Sequence, residues 1–219
     1  MKQKIILFLL ILVIASCKKE DKTGFSTCNS ILFSGCDGSS QAEYCLFGIK
    51  WDNTNSRQVQ LSDSIFRTEL TYSFMDSGFI FNTHSQDNLV SLSFDQVINC
   101  SRQSFRDAFS EWETVAPLKF IETKNDRPDI KIVLANISQG GLGYPPFSGE
   151  PCTQLAGLLV IRPISNASCD LYYFLALHEI GHVLGLGHVL SNNVMNPNQR
   201  YRKLQQGDIH GIQALYGKK

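Results

Sequence analysis

The segment His178-Glu179-Ile180-Gly181-His182-Val183-Leu184-Gly185-Leu186-Gly187-His188 places three of the chain's five histidines within eleven residues. On a helix, residues four apart share a face, so His178 and His182 can aim their imidazoles at one point. A third histidine six residues beyond His182 could not join them if the helix ran on. Gly185 offers the way out: lacking a Cβ, it can take a positive φ, end the helix and turn the chain so that His188 returns. Three neutral imidazoles leave one coordination position open, which is the arrangement of a catalytic zinc and not of a closed structural one. Glu179, beside the first histidine, is placed to take a proton from water and pass it to a leaving amine. The pattern predicts one zinc on His178, His182 and His188, with Glu179 as base and not as ligand.

The 219 residues suffice for one domain with a buried core. Twenty basic residues balance twenty acidic ones, so charge gives no reason to expect a nucleic-acid partner. Residues 1–17 stand apart. A basic start (Lys2, Lys4) precedes the apolar run Ile5 to Ile14, too short for a permanent membrane span but suited to a signal-peptide core. Ile14-Ala15-Ser16-Cys17 resembles the lipobox of bacterial lipoproteins, which implies cleavage before Cys17 and lipid attachment there. The expected location is the cell envelope, lipid-anchored at the outer membrane or the cell surface. Cys28, Cys36, Cys45, Cys100, Cys152 and Cys169 remain, an even number in a compartment that permits disulfides. Fifteen connectivities are open to six cysteines.

Residues 18–47 read as a tether or short pro-segment, and residues 48–219 as the folded domain. Leu70, Tyr72 and Phe74 alternate as a strand. Phe105, Ala108, Phe109 and Trp112 mark one buried helix face, with Ser101 as the expected N-cap. Leu118 to Ile121 and Ile130, Ile132 and Leu134 supply two further strands. Asp170 is the expected cap of a helix from Leu171 to about Leu184, and Ile209, Ile212 and Tyr216 mark a last helix ending at Gly217. The fold class is α+β.

Met195, in Val194-Met195-Asn196-Pro197, is similar to the Met-turn that underlies the metal in metzincins. Ala108 to Trp112, Val115 to Phe120, Asp129 to Ile132 and Leu204 to Gly217 resemble the first helix, two strands and closing helix of the matrixins, the matrix metalloproteinase catalytic-domain family. The resemblance spans roughly Trp51 to Gly217. It implies a twisted mixed sheet of about five strands with three helices, and a cleft for extended peptides. Gly141, Leu142, Gly143 and Tyr144 would then form the upper rim of that cleft, Pro197 would begin the wall of the pocket for the residue after the scissile bond, and Asp208 would buttress the Met-turn. It further implies a metalloendopeptidase acting on protein or peptide, as a monomer held to the membrane by its N-terminal lipid.

Departures from the family pattern are informative. Only His84 and His210 stand outside the motif, so the family's structural zinc cannot be built as the family builds it. The loop from Ser138 to Gln154 holds Glu150 as its single acid, which undermines the usual calcium sites. A disulfide between Cys152 and Cys169 could replace those metals as a staple, with Cys100 the rival partner. Residues 75–98 form a longer connection than the family's. The loop from Pro197 to Leu204 carries Arg200, Arg202 and Lys203; a solvated loop is the simpler reading, a specificity loop that tolerates acidic substrate groups the other. Cys28, Cys36, Cys45 or Asp37 could reach the zinc as an inhibitory ligand, although disulfide bonding or exposure explains each more simply. A peptide-binding module without turnover, and a small-peptide or cell-wall-peptide hydrolase, are the rival functions.

Overall fold

The computed structural model describes Cys28 and residues 41–219 apart from 126 and 199. The segment expected to be a signal sequence, Cys17, Cys36 and Asp37 lie outside the described residues. Among those described, no helix is long and apolar enough to cross a membrane.

Within residues 41–219, eight strands and three α-helices follow one another as β1 (Arg57–Ser62), β2 (Ile65–Phe74), β3 (Ile80–Phe81), β4 (Leu89–Val90), α1 (Ser101–Val115), β5 (Leu118–Glu122), β6 (Ile130–Leu134), β7 (Gly141–Gly143), β8 (Leu158–Ile161), α2 (Cys169–Val183) and α3 (Gln206–Tyr216). The long strand β2 organises the main sheet. It pairs β5 in parallel over Thr68 to Tyr72, pairs β6 in parallel over Tyr72 to Phe74, and pairs β1 antiparallel through its first half. From β6 the sheet continues through parallel β8 to antiparallel β7, which forms an edge. The sheet is mixed, as expected, and its six strands are close to the expected five or so. The sixth is β1, a polar segment (RQVQLS) with no buried residue and hence no apolar alternation to betray it.

Alternation along the inner strands assigns the two faces. Ile130, Ile132 and Leu134 of β6 and Leu159 and Ile161 of β8 join the core under the helices; Val133, Leu158 and Val160 join a second core on the other face. Helix α1 buries Phe105, Ala108, Phe109 and Trp112, the face its spacing predicts. The Trp112 indole N–H donates to the Leu177 carbonyl at 3.1 Å, fixing α1 against α2. The long connection 75–98 holds the β3–β4 hairpin and covers the second core with Phe79, Phe81 and Leu89.

The disulfides differ from the expected Cys152–Cys169 staple. Cys100 pairs with Cys169, joining the N-termini of α1 and α2, and Cys152 pairs with Cys28 in the second core. Cys100 and Cys169 sit at corresponding helix starts, so packing of α1 on α2 brings them together. Both caps also shift. Cys100, not Ser101, is the N-cap of α1 and makes no side-chain cap bond. Ser168, not Asp170, caps α2, its side chain accepting from the Leu171 N–H at 3.2 Å. Asp170 falls in the first turn instead, where its charge still complements the helix dipole.

Candidate metal centre

Helix α2 carries His178, Glu179 and His182, and ends after Val183. Gly185 takes φ +106°, and a side chain there would run into the Ile49 carbonyl. The glycine is required both for the turn and for this close approach. The turn returns His188 to the other two histidines. Its Nε2 lies 3.1 Å from Nε2 of His178 and 3.0 Å from Nε2 of His182. The three form the one such cluster of potential ligands among the described residues.

The opposite nitrogens fix how the rings present themselves. His178 Nδ1 lies 2.7 Å from the Val194 carbonyl, and His182 Nδ1 lies 2.8 Å from the Leu186 carbonyl. A carbonyl can only accept, so each Nδ1 must carry the proton and donate it. Each Nε2 is then left as a lone pair directed at the cluster. Burial pushes all three imidazoles below their ordinary value, His178 to about 4 with His188 adding to the effect. Neutral rings are what a metal ligand must be, so the donor set suits a borderline-soft ion such as zinc.

Glu179 is 5% exposed, and its Oε2 is buried with no hydrogen-bond partner among the described residues. Burial pushes its carboxyl up to about 8; a cation in the cluster would oppose that shift. Strand β7 passes directly over it. A Cβ at Gly141 would stand 2.6 Å from Glu179 Oε1, and one at Gly143 would meet the Glu179 carbonyl.

Beneath the cluster lies the turn at Met195. Asp208, buried in the first turn of α3, accepts from the Val194 N–H at 2.8 Å, the Met195 N–H at 3.2 Å and the Gln205 N–H at 2.8 Å. Burial pushes its carboxyl up while these three bonds pull it down. Asn196 donates to the Leu190 and Ser191 carbonyls and closes the chain between His188 and the turn. Gly181 had no role in the sequence reading, yet a Cβ there would collide with Met195 Sδ and lie 3.2 Å from Trp112 Cζ2. No local signal reveals this, because the clashing atom is fourteen residues away.

A cleft of about 440 Å³ opens over the histidines. Gly141, Leu142, Gly143, Tyr144 and Pro197 all line it, together with Phe47, His84, Phe174, Leu175 and Arg200. Tyr144 is only 1% exposed, and its hydroxyl meets the N–H and Nδ1 of His84 from the long connection. The described end of the expected tether is built into the domain. The Phe47 N–H donates to the Gly185 carbonyl at 2.9 Å, the Gly187 N–H donates to the Cys45 carbonyl at 2.9 Å, and the Phe47 ring stacks on His182. Cys28 and Cys45 are disulfide-bonded, so neither offers a thiolate to the histidines.

Comparison with known proteins agrees with this geometry. The matrixin family model matches residues 88–161 and 164–217, beginning later than the Trp51 boundary read from sequence. The metalloendoproteinase 4-MMP of Arabidopsis thaliana is 30% identical over 176 residues, covering 68% of this chain and 46% of that protein. Human matrix metalloproteinase-19 is 36% identical over 54% of the chain and 26% of its own length, and human neutrophil collagenase 32% identical over 52% and 28%. The chain thus spans less than half the length of these relatives. On the extent of the family match and of the 4-MMP alignment, the chain belongs to the matrixin family.

Proposed function

We propose that this domain is a zinc-dependent endopeptidase that cuts extended protein or peptide segments, with His178, His182 and His188 as ligands and Glu179 as general base. The observation that carries the reading is the convergence of three Nε2 atoms, two of them on rings oriented by backbone carbonyls, beside a buried carboxylate oxygen that has no other partner among the described residues. A zinc ion on these nitrogens would supply Lewis acidity, both acidifying water and polarising a carbonyl.

The chain's own groups do the rest. Glu179 holds a proton taken from water at Oε2 and returns it to the departing amine nitrogen. Among the described residues, strand β7 pairs only with β8, so its outer edge can receive an extended peptide as a further strand. The near contact of Gly141 with Glu179 brings such a strand's backbone close to the base. Phe174, Leu175 and Pro197 offer an apolar wall for a substrate side chain.

Incubation of the purified domain with denatured protein should give cleavage that a zinc chelator abolishes and added zinc restores. Glu179→Ala should lower kcat by about a thousandfold while still binding one zinc. Equal turnover by Glu179→Ala and the unaltered chain would sink the mechanism. Peptide binding without cleavage by the zinc-loaded protein would instead favour the binding-module reading, and restriction to very short peptides the small-peptide hydrolase.

We also place the domain outside the cytoplasm, lipid-anchored through Cys17 in the cell envelope. The Met1–Cys17 pattern supports this, and the disulfides are compatible with an oxidising compartment. Mass spectrometry of the mature N-terminus would test it: an unmodified Cys17, or an uncleaved Met1, would refute it.

A further inference from the structure

We propose that Arg200 makes this cleft select substrates with a carboxylate side chain on the residue that follows the scissile bond. The inference deepens the endopeptidase reading and rests on it. Arg200 is the only lysine or arginine among the described residues lining the cleft. It shares that lining with Pro197, Phe174 and Leu175, the apolar wall on which the residue after the scissile bond would rest.

The position of the guanidinium is specific. Its carbon lies 6.0 Å from the centre of the Phe174 ring, and that ring lies 6.1 Å from the His178 imidazole. One aromatic ring therefore separates the cation from a zinc ligand. Phe174 is 9% exposed and held within α2, so it is a fixed platform. A guanidinium held over an aromatic ring can still offer its N–H donors to a carboxylate, which it meets best through two parallel hydrogen bonds.

Charge pairing in the same loop separates Arg200 from its neighbour. Arg202 bonds Asp170 at 2.5 Å, whereas Arg200 forms no ion pair among the described residues. The cation in the cleft is thus exposed and, among the described residues, unpaired with any carboxylate, beside apolar surface that raises the strength of a pair formed there. A carboxylate should be favoured by this arrangement, and a lysine side chain repelled.

The test uses the zinc-loaded protein and three peptides that differ only in the residue after the scissile bond: Glu, its neutral isostere Gln, and Lys. The ratio of kcat/KM for Glu over Gln should be roughly five to twenty, with Lys poorest. The ratio should shrink as salt rises from about 0.05 M to about 0.5 M. Arg200→Ala should bring it close to one, Arg200→Lys should keep part of it, and Arg200→Glu should turn the preference toward Lys. Each ratio is taken within one preparation, so partial misfolding of a variant does not affect it. An unchanged Glu/Gln ratio in Arg200→Ala, with chelator-sensitive cleavage intact, overturns the role of Arg200 and leaves the protease reading standing. A shift in Arg200→Ala toward larger side chains without a change in that ratio overturns it too, because Arg200 would then limit only pocket depth. No chelator-sensitive cleavage of any peptide overturns both readings together.

Discussion

Gly181 and Met195 meet because one of them has no side chain: a Cβ at Gly181 would overlap Met195 Sδ, with Trp112 closing the other side. The methionine therefore packs against the backbone of the metal helix, between the two histidines that helix carries. Gly181→Ala should cost about 1–3 kcal/mol through overpacking. It should also weaken zinc binding, because either the Met195 side chain must shift from beneath the histidines or α2 must move with His178 and His182. Urea unfolding and zinc competition measure the two effects. Combining Gly181→Ala with Met195→Ala should recover part of the loss, and strict additivity in that double-mutant cycle would refute the coupling.

Asp208 ties the same turn to the closing helix. Its carboxylate holds the N–H groups of Val194 and Met195, while the Val194 carbonyl orients His178. Asp208→Ala leaves three buried or half-buried N–H groups without their acceptor and should destabilise the domain by about 3 kcal/mol or more. Asp208→Asn keeps one oxygen acceptor and should lose less. Zinc affinity should fall in the same order, which a metal-buffered titration would show.

What the sequence made legible follows from where each constraint acts. His178, Glu179, His182, Gly185 and His188 were readable because metal chemistry on a helix and turn demands their spacing. The buried face of α1 was readable for the same local reason. Strand β8 has all four residues buried, and such an apolar run has no alternation to distinguish it from a helix segment. Sequence alone does not fix the start of α2, because Ser168 and Asp170 are both good caps two residues apart. Cys28 and Cys152 lie 124 residues apart, and Gly181 is constrained from across the turn; only the folded chain joins such pairs.

The metal-free domain should be most stable near neutral pH. Burial holds His178, His182 and His188 neutral, with lowered pKa values in the folded chain; His84 is shifted the same way. Below about 6.5 the unfolded chain binds more protons at these groups, so stability falls as pH drops toward 4. Glu179 acts oppositely. Its folded value of about 8 means that between about 4.5 and 8 the folded chain holds the extra proton, so stability falls as pH rises through that range. Above about 6.5 the histidine effect is spent, while the Glu179 effect continues up to about 8. Urea unfolding in chelator from pH 5 to 8.5 should show a maximum, and Glu179→Gln should remove its alkaline limb. An alkaline limb of unchanged slope in that variant would refute the assignment.

The Cys100–Cys169 bridge should contribute to stability out of proportion to its size. It closes a loop with a sequence separation of 69, for which chain entropy predicts about 4 kcal/mol. It also fixes the start of α2 against α1, where the Ser104 hydroxyl adds a bond to the Cys169 carbonyl at 3.0 Å. Replacing both cysteines by serine should lower the urea midpoint in line with that loss. The histidine cluster lies at the far end of α2, held by the Met195 turn and by the Trp112 bond to the Leu177 carbonyl. Zinc affinity of the folded variant should therefore change by less than about threefold, an outcome that a loosened α1–α2 packing would not allow.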